Sequence, residues 1–173
     1  MRRESSLNLI FVAMLVSWKK FAVRCCQFTD FGLKTTMPIL TIPQIEEFLE
    51  EHFPAINRLL AIEEISDTHV RVRMGQREMH LRPGGTISGP TLMTLADTAM
   101  YILVLAIAGI EGHAVTTNLN INFLRKPKPT EVIGEVRLLK SGTRLIVGDV
   151  TMYSEGESTP VAHATVTYSI PPR

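Results

Sequence analysis

Asp97 is the one charged residue in a long run of small and apolar residues, ISGPTLMTLADTAMYILVLAIAG, from Ile87 to Gly109. An unpaired carboxylate buried there costs several kcal/mol, so the position points to chemistry. Burial raises a carboxyl pKa toward neutrality, the range a general base needs, and a desolvated carboxylate is also a candidate nucleophile. The plainer alternative is an Asp that caps or pairs locally. The five histidines, His52, His69, His80, His113 and His163, form no pair at metal-ligand spacing, and no metal is expected. His80 and Arg82 fall on one strand face just ahead of the run. Met74, Met79, Met93 and Met100 read as core filler. Arg82-Pro83-Gly84-Gly85 reads as a turn and not as a phosphate loop, and there is no Ser-His-Asp motif.

The element that carries Asp97 has helix punctuation at both ends. Ser88 is a candidate N-cap, Pro90 sits where its missing N–H costs little, and Gly109 is a left-handed stop. The run approaches the roughly 20 residues of a bilayer span. A mid-helix carboxylate and the strand-patterned segments that follow favour a helix wrapped by protein over a helix in lipid. Before it, Thr41 opens a short amphipathic helix with Ile45, Phe48 and Leu49 on one face, ended by Pro54. Strand-like stretches follow at 59–65, 70–74 and 78–81. After Gly109 come stretches at 114–124, 132–139, 145–153 and 161–170, with turn signals at Ser141-Gly142 and Glu155-Gly156-Glu157. Strict alternation over 114–124 puts Val115, Thr117, Leu119, Ile121 and Phe123 on the core face and Thr116 on the other, so that Thr116 reaches the helix only if the strand end lies at a subunit seam or is irregular. No helix-length connector follows Gly109, so the sheet is antiparallel. The result is an α+β architecture, a curved antiparallel sheet wrapped around one long central helix: the hotdog arrangement.

The 173 residues carry a net charge of +1, which argues against a dedicated nucleic-acid surface. Residues 1–36 hold six Lys/Arg and two Asp/Glu, whereas residues 37–173 hold twelve and fifteen. That basic first segment contains both cysteines, Cys25 and Cys26, which read as free thiols of a reducing, cytoplasmic compartment. Its pattern, MRRESS then LNLIFVAMLVSW then KK, is that of a short targeting or anchor segment, or of upstream sequence ahead of a true start at Met37. The expected organisation is a non-domain extension at 1–36 and a single domain at 37–173, with no membrane contact expected of the latter.

The helix motif SGPTLMTLADTAM, with VTTNLNINFLRKP on the next strand, resembles the PaaI-like hotdog acyl-CoA thioesterases over about residues 59–169. In that family a Gly amide at the start of the helix polarises the thioester carbonyl, and a helix carboxylate acts as nucleophile or base. The resemblance places these roles on Gly89 and Asp97. It sets Ser88 where the family has His, Pro90 where it has a second Gly, Arg82 where it has Asn, and Thr116 where it has a hydroxyl residue near the strand start. Ser88 and Arg82 are departures, since one removes an imidazole and the other replaces an amide by a fixed cation.

The chemistry is coherent on these residues. The Gly89 N–H at a helix N-terminus is a natural oxyanion donor. Eight residues of helix separate it from Asp97, about 12 Å, so one chain cannot bring both to one carbonyl. A homodimer, or a tetramer built from it, is therefore expected, with each site shared between two subunits. Arg125, Lys126 and Lys128 can meet the phosphates of coenzyme A, as can Arg82; the plain alternative is a solvated basic turn. No cofactor is expected, coenzyme A being part of the substrate. The alternative function is a non-catalytic dimer that binds acyl-CoA or an acyl carrier, and a hydratase on the same fold is a third reading.

Overall fold

The computed structural model describes residues 38–110 and 113–171. The expectations for residues 1–36, including the cysteine pair and the start at Met37, lie outside the described residues.

Two short helices lead in. Helix α1 spans Ile42–His52 and buries Ile45, Phe48 and Leu49, with Thr41 and Gln44 closing a capping box at its start. Pro54 does more than end it. The chain turns at Phe53 and restarts as α2, Pro54–Asn57, with Pro in the first helical position. Strands β1 (Leu60–Ile65) and β2 (His69–Met74) form a hairpin. The stretch expected as a third strand begins instead as a one-turn 3₁₀ helix at Glu78–His80, since Gln76, Arg77 and Glu78 are exposed and offer no apolar alternation. The hairpin β3 (Leu81–Arg82) and β4 (Thr86–Ile87) then feeds the long helix α3, Gly89–Ala108.

Helix α3 is bounded as its punctuation implies. The Ser88 hydroxyl accepts the Thr91 N–H, and Gly109 has φ +85°. Strands β5 (Val115–Phe123), β6 (Val132–Ser141), β7 (Leu145–Ser154) and β8 (Ala162–Ser169) complete the sheet. Its order is β1-β2-β6-β7-β8-β5, antiparallel throughout, so β5 is an edge although four strands follow the helix in sequence. The inward rows of β2, β6, β7 and β8 are buried against α3, among them Val70, Val72, Val136, Val150, Ala164 and Val166. Met74 and Met100 belong to this core, whereas Met79 and Met93 are exposed.

The helix is not wrapped on every side. Pro90, Met93, Thr94 and Asp97 form an open stripe along its first half, and Met93 is 43% exposed. Where the helix does meet the sheet it lies close. A Cβ on Gly148 of β7 would stand 2.7 Å from Met100 Sδ and 3.1 Å from the Arg137 carbonyl oxygen. Gly148→Val is expected to cost about 1–3 kcal/mol through overpacking, read as a lower urea midpoint with an unchanged slope.

Candidate active site

Asp97 sits midway along α3 with its carboxylate at a cleft of about 510 Å³. The Thr116 hydroxyl donates to Asp97 Oδ1 at 2.5 Å. The Tyr168 hydroxyl donates to the same oxygen at 2.9 Å and lies 3.1 Å from the Asp97 main-chain carbonyl. Among the described residues Oδ2 has no hydrogen-bond partner, so one carboxylate oxygen is held and the other is free. Asp97 itself is half-buried in this chain.

Thr116 reaches Asp97 because β5 is irregular at its start. Thr116 pairs with Tyr168 and Asn118 pairs with Thr167, leaving Thr117 as the extra residue of a β-bulge. Thr117 turns aside and donates to the Thr167 carbonyl at 3.2 Å. The bulge inverts the alternation before it. Thr116, Leu119, Ile121 and Phe123 therefore oppose Tyr168, Val166, Ala164 and Ala162, the inward row of β8, while Val115 and Thr117 leave that face. This corrects the strict alternation expected from sequence.

Tyr168 is the last inward residue of β8 and is 4% exposed. Its ring stacks on Tyr101 at 5.8 Å between centroids, and Phe53 meets Tyr101 edge-on at 6.3 Å. Burial, helped by the Asp97 carboxylate, pushes the Tyr168 phenol well above its ordinary pKa, so it remains a donor. Leu49 and Ile56 add to the apolar side of the cleft. Sequence reading missed Tyr168 and this N-terminal wall. The available signal was a tyrosine closing an inward row of small residues, because a buried phenol seeks a partner.

The remaining candidates gather at the other end of β5. The β3–β4 hairpin sets Arg82, exposed, opposite Thr86 and leads through Ser88 to Gly89. The Gly89 N–H has no acceptor among the described residues. A Cβ at Gly89 would stand 3.3 Å from the Phe123 ring. Ser88 is spent on the helix cap, with its hydroxyl 2.8 Å from that of Thr91, and Pro90 is exposed beside it. His80 is buried at the foot of this cluster, its carbonyl accepting the Ser88 N–H at 2.8 Å. Beyond Phe123, the Arg125 guanidinium donates to the Pro160 carbonyl at 3.3 Å and Lys128 pairs with Glu157, while Lys126 has no partner among the described residues. None of Arg82, Ser88, Gly89, Pro90, Arg125, Lys126 or Lys128 lines the Asp97 cleft. One chain thus carries two separate groups of candidates, Asp97 with Thr116 and Tyr168, and Gly89 with its hairpin.

A profile of the thioesterase superfamily matches residues 84–161, from the β3–β4 turn to the start of β8. A crystal structure of a candidate thioesterase from Silicibacter sp. is 42% identical, with TM-score 0.73, covering 80% of this chain and 97% of that one. The chain belongs to the thioesterase superfamily. A candidate esterase from Saccharolobus solfataricus is 29% identical over 139 residues, 79% of this chain and 90% of that protein. Zebrafish thioesterase superfamily member 2 shares the fold at 19% identity and TM-score 0.67, over 76% of this chain and 99% of that one. The hotdog architecture expected from sequence is the one these relatives share, and the superfamily sets the general reaction class as thioester hydrolysis.

Proposed function

We propose that this protein is a PaaI-like thioesterase that hydrolyses acyl-CoA to free acid and coenzyme A, at sites completed by a second copy of the chain. The observation that carries the reading is the Asp97 carboxylate, held through Oδ1 and open at Oδ2, over an aromatic-walled cleft. Hydrolysis needs a base or nucleophile and an oxyanion donor. Asp97 serves as the first. A lone carboxylate among the cleft's side chains supplies one metal ligand where a catalytic zinc takes three, so the reading needs no metal.

The oxyanion donor is the Gly89 N–H of the partner subunit. Strand β5 supports this arrangement. It is a free sheet edge, with Val115 57% and Phe123 54% exposed, and bare apolar edges invite pairing. It touches both groups of candidates, Asp97 through Thr116 and Gly89 through Phe123. Antiparallel pairing of two β5 strands about a two-fold sets the Thr116 end of one beside the Phe123 end of the other. Lys126 and the free donors of Arg125 lie at the rim for the coenzyme A phosphates, in a cytoplasmic enzyme that uses cytoplasmic acyl-CoA.

A non-catalytic binding dimer is the second reading, favoured by Ser88 being engaged as a cap and by Arg82 standing away from the cleft. Assay of the purified protein against a panel of acyl-CoAs, with thiol detection of released coenzyme A, decides between them. Turnover of at least one acyl-CoA above the spontaneous rate is expected. Saturable binding with no thiol release by any member of the panel overturns the hydrolase in favour of the binder.

A further inference from the structure

Tyr168 comes from the far end of the sheet and meets Asp97 at two atoms, the carboxylate Oδ1 and the residue's own main-chain oxygen. That pairing ties the side chain to the helix that bears it. A free carboxylate turns easily about its last torsion, a broad and nearly two-fold rotor, so its two oxygens would otherwise exchange. Thr116 and Tyr168 both donate to Oδ1, which removes the equivalence. The phenol is itself fixed, its ring stacked on Tyr101 and almost wholly buried.

Resting on the acyl-CoA hydrolase reading above, we propose that Tyr168 is a positioning residue that anchors Asp97 Oδ1 and so assigns the reaction to Oδ2. Oδ2 is the oxygen that receives the proton from the attacking water, or, if the carboxylate attacks directly, the one that bonds the acyl carbon as the C–S bond breaks and coenzyme A leaves as thiolate, the resulting anhydride then being hydrolysed by water to the free acid and the Asp97 carboxylate. In the first case water loses a proton to Oδ2 as its oxygen bonds the thioester carbonyl carbon, the C–S bond then breaks, and the departing coenzyme A thiolate takes that proton back from Oδ2, leaving the free acid and the Asp97 carboxylate. Tyr168 never touches the acyl group in this scheme. It acts by holding Asp97 in the attacking orientation at no entropic cost during the reaction.

Tyr168→Phe keeps the ring and its stacking and removes only the hydroxyl. The expected result is a fall in kcat of about tenfold, the usual scale for one hydrogen bond to a charged group, with KM within about twofold. Rates are referred to the folded fraction by near-ultraviolet circular dichroism, so a folding defect does not enter. The same change made on top of Asp97→Asn is expected to add no further loss, because the positioned group is already gone. A kcat within twofold of the parent, or a loss confined to KM, overturns the assignment of Tyr168. Full activity in Asp97→Asn also overturns the assignment, because Tyr168 then positions nothing that reacts, whereas no thiol release from any acyl-CoA by the parent protein overturns instead the hydrolase reading on which it rests, so the two failures are distinct.

Discussion

Asp97→Asn is expected to lower kcat for acyl-CoA hydrolysis by about 10³-fold or more, the scale of losing a positioned base or nucleophile. Asn preserves the shape of the side chain. Its amide oxygen can still accept from Thr116 and Tyr168, the two donors now on Oδ1. The amide nitrogen then occupies the Oδ2 position, facing the cleft, where it can neither take a proton nor attack a carbonyl. The fold has no reason to change, because Asp97 is half-buried and bears no ion pair among the described residues. A melting temperature within about 2 °C of the parent and an unchanged KM are therefore expected alongside the loss of kcat, given that one kcal/mol shifts a domain of this size by a few degrees. Thiol release and thermal melting on the same preparation check both. Turnover within tenfold of the parent removes Asp97 from the mechanism and leaves the cleft as a binding site.

Those expectations depend on features of unequal visibility in the sequence. Helix α3 was legible from its ends, because Ser88, Pro90 and Gly109 each have a local physical role. The antiparallel sheet was legible from short connections and period-two alternation. The face of Thr116 was not. Parity along a strand is a counting argument, and the single bulged residue Thr117 reverses it for everything before the bulge. Nothing local in VTTNLN distinguishes a bulged threonine from a regular one. Tyr168 was hidden for another reason. Its partner is 71 residues earlier, and within Ala162–Ser169 it looks like one more inward core residue. The basic run 125–128 was plain as charge. Its satisfaction was not, since Glu157 and Pro160 come from the loop between β7 and β8. Local residue types announced the elements, and contacts across the sheet decided which side chains met.

Mixing two inactive variants is expected to restore activity if the sites are shared. Gly89→Pro is a selective probe of the proposed oxyanion donor. It deletes the backbone N–H at the first helical position, where proline is well tolerated, and Ser88 already holds the extended conformation that precedes proline, with φ −77° and ψ 153°. Loss of such a donor lowers kcat by about 10²–10³-fold. Gly89→Ala is the packing control, since it keeps the N–H while meeting the same Phe123 ring. In the proposed two-fold dimer each site would take Asp97 from one chain and Gly89 from the other. A heterodimer of Asp97→Asn and Gly89→Pro chains therefore has one site carrying both lesions and one site carrying neither. Random exchange of subunits makes half the dimers mixed, so about a quarter of all sites are intact and about a quarter of parental activity returns. Unfolding and refolding the two variants together, against each refolded alone, gives the comparison. If each site lay within one chain, every site in the mixture would keep its own lesion and no activity would return. Recovery near one quarter and complete absence of recovery differ by more than an order of magnitude above the background of either variant. That gap separates a shared site from a self-contained one without any knowledge of the preferred acyl group.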